Sequence, residues 1–281
     1  MSLVFLNGDF VREDKAKISF KDRSVLFGDS IYEVIPATNG RMVGFELHID
    51  RLNRSLREIG MKPRFHYQDW MDICQRLLNE NDSNAPIYIQ VSRGAPANRG
   101  LGYGSVPRTV FAYSLEHLAA KTSEPKSYST VTARDIRWGR CDIKSTSLLA
   151  SVMTFNQQTH DQQVDEVLMY NERDELTEGC AVNVFIVKGN IIATPPADHQ
   201  ILAGVTRHIF IESLKKHSTF EVEERPIQMT EVHQADEVML SSSSKGVSPI
   251  VEIDGQPIGT GEAGPVWKQC HALYENKKFD F

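Results

Sequence analysis

Four short turn signals constrain the fold of this 281-residue chain, because each one joins two runs of strand-forming residues. They are Gly8-Asp9, Asn39-Gly40, Gly189-Asn190 and Asp254-Gly255. Such pairs favour the positive backbone φ angles of tight hairpins, so each one predicts two antiparallel strands. Since two pairs lie near the start of the chain and two in its second half, antiparallel sheet is expected in both halves.

Several stretches outside the predicted hairpins show the spacing of apolar residues that is typical of helices. Apolar residues recur at steps of four and three from Phe45 to Ile59, and Gly60 ends this predicted helix. The stretch QDWMDICQRLLNEN predicts a second helix, and further helices are predicted after Lys144, near Gly204 and around Trp267–Tyr274. We therefore expect an α+β protein of two domains, similar in size and joined by a polar linker at 120–127.

The composition limits the classes of partner. The formal net charge of −6 disfavours a nucleic-acid or anionic-membrane binder. No apolar run approaches the ~20 residues of a bilayer-spanning helix, and the first residues show no signal-peptide pattern. The four cysteines form no CxxC pair. We expect free thiols, no metal site and a cytoplasmic location.

Lys144 is a candidate for covalent chemistry. It stands among small, hydroxyl-bearing and apolar residues in the stretch GRCDIKSTSLLASV. The local sequence allows two interpretations, a surface cation at a helix start or a buried amine used as a nucleophile. The rest of the chain has to decide between them.

Four further features could belong to the same site, although each has an ordinary structural explanation by itself. Arg51 lies in HIDRLNRSL, and Glu178 lies at a turn in LTEGCAVNVF. Gly204-Val205-Thr206 open a helix whose free N–H groups favour an anion, and Ser241–Ser244 end a strand. Together with a lysine, these groups are what pyridoxal 5'-phosphate requires: an amine for a Schiff base, a carboxylate for the pyridine nitrogen, and donors for the phosphate.

The sequence as a whole resembles the class IV aminotransferases, the fold-type IV pyridoxal phosphate enzymes, and most closely the D-amino acid transaminases. The resemblance covers nearly the whole chain and preserves the order of the family's motifs. These are FLNGDFV, DRSVLFGDSIYEV, HIDRLNRSL, DIRWGRCDIKS, LTEGCAVNVF, ILAGVTR and DEVMLSSSSKGVSPIVEIDG.

The resemblance implies a role for each matching residue. Lys144 matches the Schiff-base lysine, Glu178 the partner of the pyridine nitrogen, and Tyr32 an active-site tyrosine beside the lysine. The positions that match phosphate-binding residues are Arg51, Val205, Thr206, Ser242 and Ser243. The family fold further implies a smaller α/β N-terminal domain at 1–119 and a larger α+β domain at 128–281 that carries Lys144. The cofactor is expected between these domains, and the protein is expected to be a homodimer.

The substrate loop departs from the family pattern. D-amino acid transaminases bind the substrate carboxylate with an Arg-x-His pair, but here Asn98 and Gly100 fall at those positions, in SRGAPANRGLGYG. Arg99, between them, is a candidate for the carboxylate and is otherwise an exposed loop arginine. Lys245, after the serine run, is a second candidate cation.

These residues predict a transaminase that moves an amino group from an amino acid, such as D-alanine, to a 2-oxo acid such as 2-oxoglutarate. RGLGY also resembles the aminodeoxychorismate lyases of the same fold. Branched-chain L-amino acid and (R)-amine transaminases are further alternatives, as is a cofactor-binding protein without robust catalysis.

Overall fold

The structure is a computed structural model that describes residues 2–118, 126–160 and 164–281. It divides into two compact units. Unit 1 comprises Met1–Thr122 and Ile143–Leu148, and unit 2 comprises Ser123–Asp142 and Leu149–Phe281. Most of the linker expected at 120–127 lies outside the described residues, namely positions 120–125.

Unit 1 combines a sheet with two long helices. Its strands are β1 (Leu3–Leu6), β2 (Asp9–Arg12), β3 (Ser30–Ile35), β4 (Ala37–Thr38), β5 (Arg41–Met42), β6 (Ile87–Ser92) and β7 (Thr109–Ser114). Its helices are α1 (Arg23–Phe27), α2 (Phe45–Glu58) and α3 (Tyr67–Glu80), with 3-10 turns at Glu13–Lys15 and Glu116–Leu118. Over the described residues, five strands form an antiparallel sheet in the order β2-β1-β7-β6-β3.

The core of unit 1 lies where α2 and α3 cover one face of this sheet. Helix α2 buries Phe45, Ile49, Leu52 and Leu56, as its periodicity predicts. Helix α3 buries an apolar stripe that begins at Trp70. Side chains of this size each stabilise the fold by about 1.5–3 kcal/mol when fully buried. Helix α2 packs against β3, the strand that carries Tyr32, while α3 packs against β1, β6 and β7.

Unit 2 is built on a larger mixed sheet. Its strands are β8 (Tyr128–Arg134), β9 (Glu166–Tyr170), β10 (Leu176–Gly179), β11 (Asn183–Lys188), β12 (Ile191–Thr194), β13 (Glu221–Glu224), β14 (Glu237–Ser242), β15 (Gly246–Ile253) and β16 (Gln256–Pro257). Its helices are α4 (Leu149–Thr159), α5 (Val205–His217), α6 (Met229–His233) and α7 (Pro265–Lys277). Over the described residues the sheet runs β10-β9-β8-β15-β14-β11-β12-β13, and β16 pairs with β15. The pairs β8–β9, β8–β15 and β12–β13 are parallel. The mixture of helices and sheets confirms the predicted α+β class.

All four turn signals mark hairpins. At Asn39-Gly40, Gly189-Asn190 and Asp254-Gly255 the strands join through a two-residue loop, as predicted. The first hairpin turns one residue earlier, at Asn7-Gly8, since Leu6 pairs with Asp9. Both turn residues there have positive φ, 55° at Asn7 and 117° at Gly8, and asparagine tolerates that conformation better than most residues.

The lysine segment belongs to a different unit from the one expected. The sequence places Lys144 in the C-terminal domain at 128–281, but Ile143–Leu148 groups with unit 1. The cause is backbone pairing with β3: Tyr32 N–H donates to the Lys144 carbonyl at 3.0 Å, and Thr146 N–H donates to the Ser30 carbonyl at 3.0 Å. The chain continues into α4 of unit 2 directly after this segment.

Candidate active site

Lys144 and Tyr32 lie together in unit 1. Because the Lys144 segment pairs with β3, the two residues are adjacent in space although far apart in sequence. The Lys144 ammonium nitrogen is 4.2 Å from the centroid of the Tyr32 ring, and both residues are half-buried. Lys144 is therefore not an ordinary surface cation.

One face of α2 supports this pair. His48, Arg51 and Ser55 follow one another at helical spacing, and all three are buried. The Ser55 hydroxyl accepts a hydrogen bond from the Lys144 backbone N–H at 3.4 Å. The helix that carries Arg51 thus also fixes the backbone of the lysine.

Arg51 is held by the carboxylate of Glu33, which no local sequence pattern marks as a site residue. Its Nε and Nη2 donate to the two oxygens of Glu33, at 2.8 and 2.7 Å, and His48 Nδ1 lies 2.7 Å from Glu33 Oε2. Burial by itself raises the pKa of Glu33, but the Arg51 charge and these hydrogen bonds outweigh it and hold the pKa at about 2. Glu33 is fully buried and ionised at neutral pH, so it locks the arginine in one orientation.

Small hydroxyl residues after Lys144 anchor its segment. Thr146 and Ser147 both donate to the Gly28 carbonyl, at 3.2 and 3.3 Å. Gly28 has φ of +64°, and a Cβ there would lie 2.5 Å from the Ser147 hydroxyl oxygen. Glycine is therefore needed at the contact between α1 and the lysine segment.

Glu178 lies in β10 of unit 2 as a buried carboxylate, 5% exposed. Its Oε1 accepts from Arg137 Nη1 at 2.6 Å, and its Oε2 accepts from Asn183 Nδ2 at 3.0 Å and from Leu202 N–H at 3.1 Å. Burial raises the pKa of Glu178, while Arg137 and the Leu202 N–H act in the opposite direction. Glu178 is therefore a buried carboxylate held by hydrogen bonds, and not an exposed turn residue.

A cradle suited to an anion forms at the start of α5. The helix begins with buried Val205 and Thr206, and its N-cap, Gly204, gives no side-chain hydrogen bond to the first turn. A Cβ on Gly204 would lie 2.0 Å from Asn183 Oδ1, so the backbone approaches closely there. Ser241 pairs with Asn183 in the β11–β14 ladder. Its buried hydroxyl has no hydrogen-bond partner among the described residues.

These observations fit a bound phosphate. Helix amides without a side-chain cap, a glycine at the N-cap and an unsatisfied buried hydroxyl are the groups that such an anion requires. Ser242 is half-buried at the end of β14, and its hydroxyl accepts from the Lys245 backbone N–H at 3.1 Å. Ser243 follows, half-buried, in the turn to β15.

Arg99 and Lys245, the two candidates for binding the substrate carboxylate, differ in their surroundings. Arg99 is exposed in its loop, and its guanidinium carbon is 4.7 Å from the centroid of the Phe27 ring. The Lys245 amine forms an ion pair with the buried carboxylate of Glu166 at 2.8 Å. That partner compensates the charge of Lys245, which favours Arg99 for an incoming carboxylate.

Arg137, Asn183, Glu33 and His48 are functional candidates that sequence reasoning did not single out as site residues. By sequence alone, His48 fits an ordinary surface or core position of its helix. Its position three residues before Arg51 and the placement of Glu33 next to Tyr32 are the available signals. For Arg137 the signal is its place in DIRWGR, seven residues before Lys144.

Two kinds of site find no support in residues 2–118, 126–160 and 164–281. No group of three or more His, Cys, Asp or Glu side chains is arranged to hold a metal ion there. Across the same residues, no helix has both the length and the apolar content of a membrane span.

Comparison with known proteins identifies the class. The family model of the class IV aminotransferases matches residues 30–253, so the chain belongs to this family. It is 34% identical over 277 residues to a protein named D-alanine aminotransferase from Staphylococcus epidermidis, covering 98% of this chain and 97% of the relative. The chain is accordingly a class IV transaminase, as predicted, and enzymes of this class depend on pyridoxal phosphate.

Solved structures confirm the fold. A branched-chain aminotransferase from the archaeon Thermoproteus uzoniensis, solved with norvaline, superposes with a TM-score of 0.87 at 22% identity, covering 99% of this chain and 95% of the other. A protein described as a putative 4-amino-4-deoxychorismate lyase from Legionella pneumophila gives a TM-score of 0.82 at 23% identity, covering 95% of this chain and 98% of the other. The branched-chain and lyase alternatives thus share this fold.

Proposed function

We propose that this enzyme transfers the amino group of a D-amino acid, with D-alanine as the model donor, to a 2-oxo acid such as 2-oxoglutarate. The observation that carries the proposal is the pairing of Lys144 with β3, which puts its amine beside Tyr32 and ties its backbone to the helix that holds Arg51. The full-length similarity to D-alanine aminotransferases supports the choice of donor.

Pyridoxal 5'-phosphate is the proposed cofactor. When bound, it would accept the electron pair that is left when the substrate Cα–H bond breaks. Lys144 Nζ would be the covalent attachment point for this group. With the substrate in place, the same nitrogen would accept the substrate Cα proton as general base and then donate it as general acid. The aromatic face of Tyr32 confines the amine to this position, and the Tyr32 hydroxyl is proposed to contact the substrate.

Glu178 is proposed to hold the proton on the pyridine nitrogen. A carboxylate does this best when it is fixed and shielded from water, and Arg137, Asn183 and Leu202 hold both of its oxygens. Arg137 also favours the charged form, which the pyridinium partner requires.

Five residues are proposed to bind the phosphate. The planar guanidinium of Arg51 suits phosphate oxygens and is already oriented by Glu33. The other donors are the α5 amides of Val205 and Thr206 and the hydroxyl groups of Ser242 and Ser243 at the end of β14, as the sequence predicts. The unsatisfied Ser241 hydroxyl joins them.

The substrate carboxylate is proposed to bind Arg99. An arginine is the natural partner for a carboxylate, and the other predicted cation, Lys245, is already paired with Glu166. We keep Lys245 as a secondary contact near the substrate.

A homodimer is proposed as the assembled form. Helix α4 exposes Leu149, Val152 and Met153 by 71%, 52% and 43%, and their spacing puts them on one face. An exposed apolar helix face indicates an interface, and a second copy of the chain is the partner that we propose. The cytoplasmic location also stays a prediction, which the four free cysteines support.

The function is tested by mixing the purified yellow holoenzyme with one amino donor at a time, without acceptor. Conversion of the cofactor to its amine form by D-alanine or D-glutamate, and not by the L-enantiomers, is the expected result. Conversion by L-leucine or by (R)-phenylethylamine alone would replace the proposal with a branched-chain or amine transaminase. Pyruvate release from aminodeoxychorismate without such conversion would replace it with a lyase. Lys144→Ala serves as the inactive control.

A further inference from the structure

An exposed loop of unit 1 is fastened to a buried guanidinium. Arg23, the first residue of α1, is 4% exposed. Its Nη1 donates to the Gly100 carbonyl at 2.6 Å and to the Gly102 carbonyl at 3.4 Å, and its Nη2 donates to the Leu101 carbonyl at 3.3 Å. Three successive carbonyls therefore converge on one cation, while the Leu101 side chain is 80% exposed.

A second buried arginine completes this support. Asp29 Oδ2 accepts from Arg23 Nε at 2.7 Å and from Arg93 Nε at 2.9 Å. Arg93 is 7% exposed, its Nη2 donates to the Ile59 carbonyl at 2.6 Å, and its guanidinium carbon lies 3.6 Å from the centroid of the Tyr103 ring. One carboxylate thus orients two guanidinium groups, and each of them contacts the loop.

The charge balance explains why the loop stays in place. Two buried arginines share one carboxylate, Asp29, so their remaining N–H groups need other acceptors. The carbonyls of residues 100–102 supply those acceptors. If the loop moved away, buried guanidinium donors would lose their partners, which is costly in a protein interior. The loop is therefore held by the core, although it lies at the surface.

The carbonyls that Arg23 holds directly follow Arg99 in the chain. That residue precedes the three bound carbonyls, and its guanidinium stacks on Phe27, which belongs to the same helix as Arg23. The guanidinium carbon of Arg23 is 4.8 Å from the centroid of the same ring. Arg99 thus contacts α1 through Phe27, and the carbonyls that follow it are held by Arg23 of the same helix.

We propose that Arg23, assisted by Arg93 through Asp29, is a positioning residue that sets the conformation of loop 98–104 and thereby the affinity for the carboxylate of the amino donor. This inference rests on the proposed function for the role of Arg99. Arg23 and Arg93 have no part in the proton transfer at Lys144, so they act on substrate binding and leave the chemical step unchanged.

The test compares the holoenzyme with Arg23→Met, which keeps the stem but removes the donors, and with Arg23→Lys, which keeps only the charge. Loss of charge-assisted hydrogen bonds is expected to raise the KM for D-alanine about tenfold or more, with kcat and bound cofactor within about twofold of wild type. Arg23→Lys should show a smaller rise. Lys21→Met is the matched control, because this neighbouring exposed lysine donates to the Ala97 carbonyl, at 3.1 Å, just before the loop begins.

A second measurement follows the loop without using activity. Trypsin cleaves after arginine, so cleavage after Arg99 reports release of the loop. It should be about tenfold faster in Arg23→Met than in wild type or Lys21→Met. Asp29→Asn, which weakens both guanidinium contacts, should behave similarly and replaces Arg23→Met if that variant does not fold.

Unchanged cleavage together with an unchanged KM would overturn the proposal, as would a fall in kcat and cofactor content at constant KM. A wild-type enzyme without D-alanine activity would instead contradict the proposed function. The cleavage rates would still test whether Arg23 holds loop 98–104 in place.

Discussion

Glu33 and Arg51 form a bidentate ion pair inside unit 1, with N–O distances of 2.8 and 2.7 Å and a carboxylate that is fully buried. The pair joins the strand that carries Tyr32 to the helix that contacts the backbone of Lys144. A single carboxylate therefore links the proposed phosphate-binding arginine to the elements that position Lys144, the proposed catalytic lysine.

Glu33→Gln is expected to weaken cofactor binding and the fold together. Breaking a buried ion pair costs about 3–5 kcal/mol, because the remaining charge is left without its partner. Denaturant unfolding of the apoenzyme measures this loss, and titration with pyridoxal 5'-phosphate should show at least a tenfold higher Kd. Glu80→Gln is the matched control, because Glu80 pairs with Arg76 at the surface. Equal effects of the two substitutions would contradict the assigned role.

The same pair predicts a dependence of stability on pH. The pKa of Glu33 is about 2 in the folded protein, below its ordinary value of 4.5. The unfolded chain therefore binds the proton more readily, so the stabilisation by Glu33 is complete above pH 4.5 and is lost as the pH falls toward 2. A shift of this size is worth about 3 kcal/mol. Denaturant titrations from about pH 6 to about pH 3 should show a smaller loss of stability in Glu33→Gln than in wild type.

Gly28→Ala should disturb the lysine segment. The new methyl group would meet the Ser147 hydroxyl at 2.5 Å, and the φ of +64° adds strain for any residue with a Cβ. We expect a loss of about 2 kcal/mol or more in unfolding free energy and slower formation of the covalent cofactor adduct. Gly40→Ala is the control, since Gly40 has φ of +74° but no atom within 4 Å of the added Cβ. If both variants lost the same stability, the contact with Ser147 would not matter.

Arg137→Met should shift the pH dependence of turnover. Burial already raises the pKa of Glu178, and Arg137 opposes that effect. Without the arginine the pKa should rise further, so the carboxyl ionises only at higher pH and the acidic limb of the kcat profile moves upward. Arg173→Met is a control on an exposed arginine of the same unit. An unshifted profile with normal cofactor content would refute the proposed coupling.

Glu178→Gln separates electron withdrawal from anchoring. The amide keeps the shape of the side chain but cannot hold a proton on the pyridine nitrogen, so kcat should fall by about 100-fold or more, while the Kd of the cofactor should change by less than about tenfold. Equilibrium binding and single-turnover rates give the two quantities. A collapse of affinity with normal turnover per bound cofactor would reverse this assignment.

Local sequence signals predicted much of the fold. The turn pairs at Asn39-Gly40 and Gly189-Asn190 marked their hairpins, because two-residue loops depend on local φ preferences. The apolar period from Phe45 marked α2 to within a residue of its end, because one face of the helix is buried. The motif resemblance gave the family, which the family model confirmed over residues 30–253.

Long-range contacts could not be predicted in this way. Glu33 reaches Arg51 across 18 positions, and Arg137 reaches Glu178 across 41, so no local pattern shows that either pair meets. The assignment of Lys144 to unit 1 likewise depends on pairing with β3, which lies far earlier in the chain. The contacts of Arg23 and Arg93 with Asp29 likewise join residues that are distant in sequence, so no local pattern predicts them.

Locating the covalently bound cofactor tests directly whether Lys144 is the amine that carries it. Holoenzyme is reduced with borohydride, digested and analysed by mass spectrometry, with and without prior exposure to D-alanine. We expect one phosphopyridoxyl modification, on Lys144, which disappears after D-alanine converts the cofactor and is absent in Lys144→Ala. Modification of a different lysine, or an active Lys144→Ala enzyme that borohydride does not inhibit, would contradict it.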